Sequence, residues 1–523
     1  MNQNNIQYRN ETFALSSNNN KFNFITFLHN TRLVILLLIM FGIILRLPNL
    51  GESLWLDETI YSTKYWMKSV SDLWGLFLSE PSAPLYRVFM FFWTTMFGEH
   101  EIFLRMPSLL FGIASIILTY LIAKNYDSLK MASLAAFLLC FSPVHIWYSQ
   151  EATPYSMTMF FLLATFYVFC KIKAGHCNWK WYVLYLFLFL TAVFTHYYAA
   201  IFLLPLSLLA LLEDKLKRKR LMGVHCVVAI CLVASLGIKY MAGKMQSGIG
   251  FLRPFNLYEW WMLFFNWFSH GNSIWTVNPY HASRLGFHYL ISQPLLVIFQ
   301  LIFLIILLRG LIPKSGRNDW KQAFELSLLL FSLPLVMLFM NQVGYRHLYI
   351  ERYLIPILPF FLIVIAMGAS GFSKKSLEIS IALFLIIASV TSCIMFFYKN
   401  NTWTVYKQNP DWRSAAYYLS QKNNGSDELI VLNFAPADTL RYYLRKEGVE
   451  PFKVIGIERT EDILSADSLN NFYLVRNRYW KGNFDKVFLK LKEDRRFRLV
   501  SSQTFKGLDL YFFINNNAVP NIL

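Results

Sequence analysis

Residues 33–58 read LVILLLIMFGIILRLPNLGESLWLDE, a long apolar run from Leu33 to Leu47, interrupted by charge only at Arg46, followed closely by two adjacent carboxylates, Asp57 and Glu58. A bilayer core of about 30 Å takes about 20 helical residues, so a run of this kind with its flanks spans one. The chain that follows it then lies at a membrane surface. A second acid, Glu151, stands after another apolar run in Ser149-Gln150-Glu151-Ala152-Thr153-Pro154-Tyr155. Topology decides whether these acids meet, and a meeting would make an enzyme site.

Composition agrees with the first run. Of the 523 residues 56% are hydrophobic and only 15% charged, too little polar surface for a soluble chain of this length. The protein is expected to be a polytopic membrane protein. Its formal charge of +18 sits mostly in short loops between apolar runs, as the positive-inside bias demands, and no separate basic domain exists for a nucleic-acid partner. The cysteines Cys140, Cys170, Cys177, Cys226, Cys231 and Cys393 show no metal-ligand spacing and imply no disulfide framework. Residues 1–30 are polar and Asn-rich and read as a cytoplasmic N-terminus, with the first run a retained anchor.

Runs of spanning length fall at 31–49, 104–123, 131–149, 154–170, 181–198, 199–212, 221–240, 289–308, 323–341, 354–370 and 376–397, about eleven in all. The segment 84–97 is short, opens with Pro84 and carries Arg87, which would cost about 2.5–3.5 kcal/mol at mid-bilayer. It is expected to lie in the interface or re-enter. With it excluded, Lys124/Lys130, Lys171/Lys173/Lys180, Lys215 to Arg220, Arg309/Lys314/Arg317/Lys321 and Lys374/Lys375 share one side, the cytoplasm. The first outer loop 50–103, the turn 150–153, His196, residues 241–288, 341–353 and the tail 398–523 share the other. Asp57 and Glu151 therefore face one non-cytoplasmic compartment.

The tail changes character. Helical stretches at 413–421, 437–446 and 484–494 alternate with strand-like runs at 429–434, 472–477, 497–504 and 508–514, which predicts a small α/β domain outside the membrane. The outer segment 241–288 holds Trp260, Trp261, Trp267, Trp275 and Tyr280. Aromatic rings stack on sugars, but they also populate the membrane interface, and the interface is the expectation here.

Several short motifs occur in one order: Trp55-Leu56-Asp57-Glu58, Pro84-Leu85-Tyr86, Leu104-Arg105-Met106-Pro107-Ser108, Ser142-Pro143 with Trp147-Tyr148-Ser149-Gln150-Glu151, and Glu351-Arg352-Tyr353-Leu354 with Pro356 and Pro359. Together, over residues 46–360, they resemble bacterial members of the protein O-mannosyltransferase and aminoarabinose-transferase group, membrane glycosyltransferases of the GT-C fold (family 39-like). The resemblance implies an α-helical GT-C membrane domain over 31–397 and a periplasmic α/β domain over 398–523. It also implies a catalytic acid on the first outer loop, a lipid-phosphate-linked sugar donor and an inverting transfer. Two departures are visible: Ser82-Ala83-Pro84 replaces the family's His-Pro-Pro, and Thr153 stands where the family has Arg.

Transfer from a polyprenyl phosphate needs a base for the acceptor and cations for the departing phosphate. Asp57 is the expected base, against the plainer reading of a helix cap or a solvated loop acid. Glu58 orients it or merely solvates the loop. Glu151 caps the following span, positions the acceptor, or binds a divalent ion together with Asp57. Arg105, Arg352, Tyr353 and His196 are placed where an outer-leaflet phosphate would be reached, with Arg46 similarly placed. Interfacial snorkelling is the alternative for the arginines, and an aromatic-belt role for His196. The acceptor class stays open among glycolipid, glycan and protein. The rival readings are a transporter or flippase for a lipid-linked sugar, which would want ionisable groups at mid-span, and an assembly protein acting through its tail.

Overall fold

The computed structural model describes residues 31–80, 82–242, 252, 254–271, 274–275, 285–313, 317–344, 349–398, 409–422, 429–433, 437–449, 452–456, 471–478 and 484–516. Among them, seven helices are long and apolar enough to cross a membrane. An eighth crossing forms if Leu129–Cys140 and Pro143–Ser149, bent by 60° where Pro143 begins the second helix, are one span. Three shorter apolar helices, Thr31–Ile44, Trp179–Thr195 and Tyr197–Leu211, coincide with further runs expected from the sequence.

The bundle has a centre and a rim. In Glu351–Ala369, 83% of the apolar window is buried, against 28% for Lys215–Met241 and 22% for Lys375–Tyr398. The first is therefore a core helix, and the other two turn their apolar surface outward, as a lipid-facing helix does. Close approach to the core helix depends on glycine. A Cβ on Gly368 would collide with the backbone of Ile306, and one on Gly310 would stand 2.9 Å from Val364 Cγ1.

Three helices fill the first outer loop: Leu56–Ser62, Val70–Ser79 and Leu85–Phe97. The last has 13 residues and leaves Phe92, Met96 and Phe97 exposed along one side while burying Tyr86, Arg87, Met90 and Thr94 on another. That is an interfacial pattern, with a lipid side and a protein side.

The aromatic segment departs from expectation. Leu257–Met262 and the wide-turned Leu263–Phe268 run into the bundle, and Trp267 is only 2% exposed. Trp260 packs on Phe331, and Trp261 Nε1 donates to Gln300 Oε1 at 2.6 Å. The cause is legible in LYEWWMLFFNWF, where apolar and aromatic residues surround the helix except along the line of Glu259 and Asn266, so the segment is buried rather than laid at an interface. Trp275 packs on Phe299, and Tyr280 lies outside the described residues.

The tail holds a five-stranded mixed sheet: β1 (Leu429–Asn433), β2 (Phe452–Gly456), β3 (Phe472–Asn477), β4 (Phe497–Phe505) and β5 (Leu508–Asn515), in the order β2-β1-β3-β5-β4. β1 pairs parallel with β2 and β3, while β5 pairs antiparallel with β3 and β4. Helices Trp412–Lys422, Asp438–Lys446 and Phe484–Glu493 fall where the sequence placed them, and β2 is an element the sequence reading omitted.

Candidate active site

The helix Leu56–Ser62 begins after an extended Trp55, whose N–H donates to Glu58 Oε2 at 3.2 Å. An α-helix turns about 100° per residue, so Asp57 and Glu58, although adjacent, look in different directions. Glu58 looks inward and is 0% exposed. Its oxygens accept from Arg105 Nε (2.7 Å), Arg105 Nη2 (2.6 Å) and the Ala152 N–H (2.9 Å). Arg105, 1% exposed, spends the rest of its fork on the carbonyls of Leu50 (2.8 Å), Glu52 (2.6 Å) and Ser53 (3.2 Å).

This pair ties the first outer loop, the helix Glu101–Ala123 and the turn 150–153 into one body. The expectation that Arg105 meets a phosphate is accordingly corrected: no donor of its guanidinium remains free, because Glu58 and the loop carbonyls between them take them all. Glu58 belongs to the same scaffold, with no oxygen turned toward a substrate. Arg46 is corrected on its burial and on what its terminal nitrogens hold, although its Nε has no partner among the described residues. It is fully buried and donates to the carbonyls of Gly42 and Cys140 and to His145 Nδ1 at 2.6 Å.

Asp57 looks outward. Its Oδ2 stands 3.0 Å from Arg352 Nη1, and both side chains are 17% exposed. Arg352 comes from the tight turn Glu351–Ile357 that opens the core helix, so a rigid element presents it. Its guanidinium lies 5.7 Å from the Tyr155 ring centroid and 5.9 Å from that of Trp55. Arg352 Nε is buried and has no hydrogen-bond partner among the described residues. A cation held by ring faces, with a donor left over, can grip an incoming anion while the rings keep it in place.

Glu151, 3% exposed, lies within electrostatic reach of both Asp57 and Arg352. Its turn is pinned from three sides: Ala152 N–H to Glu58, Ser62 Oγ to the Ala152 carbonyl (2.5 Å), and Gln150 Nε2 to the Pro48 carbonyl (2.5 Å). Glu151 Oε2 and Thr153 Oγ1 are both buried without a partner among the described residues. Burial, and next the charge of Glu58, push the Glu151 carboxyl well above the usual carboxylate range, although Arg352 pulls the other way.

Aromatic side chains wall the site. Tyr353 packs at a tilt against His196 (4.7 Å between centroids) and Tyr198 (4.5 Å), and Tyr155 closes the group on His196 at 5.6 Å. His196 occupies the break between Trp179–Thr195 and Tyr197–Phe202, where the chain leaves helical geometry. No group of three or more His, Cys, Asp or Glu side chains able to hold a metal occurs among the described residues.

Two participants escaped the sequence reading. Tyr61 lies within electrostatic reach of Asp57, Tyr353, Arg87 and Arg352, and burial, with Asp57 next, raises its hydroxyl well above the ordinary tyrosine range. Arg87 lies 5.0 Å from the Tyr61 ring centroid and pairs with Glu80, while its Nε and Nη1 are buried and unpartnered among the described residues. Its signal was present: a lone arginine in an apolar helix is a functional candidate by default. The same residue had served only to disqualify its segment as a span.

Residues 80–238 match the family of dolichyl-phosphate-mannose-protein mannosyltransferases. Comparison with curated protein sequences gives no match. Among solved structures the chain is similar to apo ArnT from Cupriavidus metallidurans, with TM-score 0.56 and 11% identity over 92% of this chain and 97% of that one. The same ArnT bound to undecaprenyl phosphate gives TM-score 0.51 and 12% identity over 94% and 99%. An oligosaccharyltransferase from Archaeoglobus fulgidus, in complex with Zn and sulfate, gives TM-score 0.51 and 11% identity over 84% and 67%. The chain has the fold of the GT-C membrane glycosyltransferases.

Proposed function

We propose that this protein transfers a sugar from a polyprenyl-phosphate donor to an acceptor, a glycolipid, polysaccharide or protein, at the outer face of a bacterial inner membrane. The observation that carries the reading is the Asp57–Arg352 pair, a carboxylate and a guanidinium 3.0 Å apart with an unpartnered Arg352 Nε beside them. The match of residues 80–238 to a mannosyltransferase family and the undecaprenyl phosphate bound by the similar ArnT supply the donor class.

Asp57 takes the proton of an acceptor hydroxyl as that oxygen bonds to the anomeric carbon from the face opposite the phosphate, so configuration inverts. The bond from the anomeric carbon to the phosphate oxygen breaks, and its electron pair leaves on the polyprenyl phosphate. Arg352 gathers the growing negative charge. Arginine suits this because its planar fork matches phosphate oxygens. When Arg352 turns to the phosphate, the Asp57 carboxylate is released from it and is free to face the acceptor hydroxyl. Glu151, kept protonated by its surroundings, is a hydrogen-bond donor to a donor or acceptor oxygen rather than a second anion. His196 and the tyrosines Tyr155 and Tyr353 exclude water and line the sugar's place.

The test is mass spectrometry of envelope glycolipids and glycoproteins from a deletion strain carrying the wild-type gene or Asp57→Asn at equal protein level. The wild type should restore one sugar mass to some product. The asparagine variant should restore it about 10²- to 10⁴-fold more slowly, the usual cost of removing a general base. Turnover within tenfold of wild type would remove Asp57 from the role.

A further inference from the structure

The segment that delivers Asp57 is held by the tail domain as well as by the membrane domain. The Leu54 N–H, just before the helix Leu56–Ser62, donates to the Tyr443 hydroxyl at 2.9 Å. That hydroxyl in turn donates to Glu101 Oε1 at 2.9 Å, at the start of the helix that carries Arg105. Asn409 Nδ2 reaches Glu58 Oε2 at 3.4 Å, and Thr59 Oγ1 reaches Thr439 Oγ1 at 3.4 Å. Tyr443, Thr439, Thr59 and Asn409 are all buried. Apolar packing runs through the same place: Leu54, Tyr86 and Leu104 share one core with Leu440, Tyr443 and Trp412.

A seven-residue helix has little stability of its own, so its orientation is set by what holds its ends and inner face. Here the inner face is held by Glu58, and the entry by Tyr443. Buried hydrogen bonds specify one geometry because any displacement leaves a polar group unpaired.

Resting on the transferase reading above, we propose that Tyr443 and Asn409 are positioning residues for the transfer: the tail domain sets the direction in which the helix Leu56–Ser62 aims Asp57. Neither residue touches the reacting atoms. Arg352 stands outside this network, so the network governs the chemical step and not the hold on the lipid phosphate.

The experiment uses the full-length protein in nanodiscs with Tyr443→Phe, and Asn409→Ala as a second variant should the first not fold. Phenylalanine keeps the buried ring, and Glu101 retains Arg413 at 3.3 Å, so the fold should survive. Three readouts are taken. Amide hydrogen exchange of the peptide covering residues 53–60 should speed up about tenfold, since the Leu54 N–H loses its acceptor. Sugar product in the complemented deletion strain should fall about tenfold at equal protein level. Affinity for undecaprenyl phosphate alone should stay within about threefold of wild type, the sign that chemistry has been lost without binding. Unchanged exchange, unchanged product, or loss of undecaprenyl phosphate binding together with product would each overturn the positioning role. A wild-type protein that binds no undecaprenyl phosphate would instead count against the donor assignment, and the exchange and product arms would still decide the role of Tyr443.

Discussion

Asp57 and Glu58 show how one residue of helix separates two fates. Glu58 meets Arg105 and the Ala152 N–H in the interior, whereas Asp57 meets Arg352 at the edge of the site. Arginine at position 352 should be irreplaceable in a graded way. Arg352→Ala is expected to weaken undecaprenyl phosphate binding by about 1.5–3 kcal/mol, the usual worth of a hydrogen bond to a charged group, and Arg352→Lys to recover only part of it. Binding to purified protein in detergent measures this, and an unchanged affinity in the alanine variant would pass the role to Arg87. Glu151 yields a pH prediction. Its folded carboxyl holds its proton well above the pH at which an unfolded glutamate releases it. Above that pH the unfolded state binds fewer protons than the native state, so stability falls as pH rises toward the raised value. Glu151→Gln removes the titration. Between pH 5 and 8 the wild type should therefore lose thermal stability relative to the glutamine variant, and parallel melting profiles for the two proteins would contradict a buried, protonated Glu151.

At the scale of elements, the site depends on how closely the helix Glu101–Ala123 meets the short helix Pro143–Ser149. A Cβ on Gly112 would overlap Ser149 Oγ and stand 2.8 Å from Ser149 Cβ, while one on Gly223, in a rim helix, meets nothing within 4 Å. Gly112→Ala is thus expected to cost about 1–3 kcal/mol through overpacking and to shift the turn that holds Glu151. Gly223→Ala should be neutral or stabilise by up to about 1 kcal/mol, because alanine is the better helix former. Thermal unfolding in detergent separates them, and equal effects would mean the helices can part without strain. Helix positions were legible because long apolar runs carry their own signal. β2 was not, since Phe452–Gly456, unlike the wholly apolar start of the equally short β1, carries Lys453 and ends on glycine, and acquires its meaning only from the register Val431↔Val454 with β1. The roles of Arg105 and Arg46 were illegible for a related reason: an arginine at a span end looks the same in sequence whether it grips a ligand or its own loop carbonyls.

For the whole molecule, the charge pattern that sorted the loops has a counterpart in contacts. At one end Lys173 pairs with Glu325, Lys217 Nζ donates to the Lys173 carbonyl at 3.2 Å, Tyr126 OH donates to Glu325 at 3.2 Å, and Ser370 Oγ reaches Asp127 at 3.3 Å, so the basic loops lie together. At the other end the first outer loop, the turn 150–153, the segment opening with Glu351 and the tail meet around Asp57 and Glu58. Two ends with opposite character fit a bilayer between them, and the proposed orientation puts the basic end inside. The expected outcome is directional labelling. In spheroplasts, with the native cysteines replaced, a membrane-impermeant thiol reagent should modify cysteines placed at the exposed tail positions Glu447 and Lys490 in intact membranes. Cysteines at the exposed Lys130 and Lys219 should react only after permeabilisation. Because the tail is tied to the first outer loop through Asn409 and Tyr443, labelling of Glu447 and Lys219 from the same side would break the topology, and with it the placement of Asp57 at the outer face.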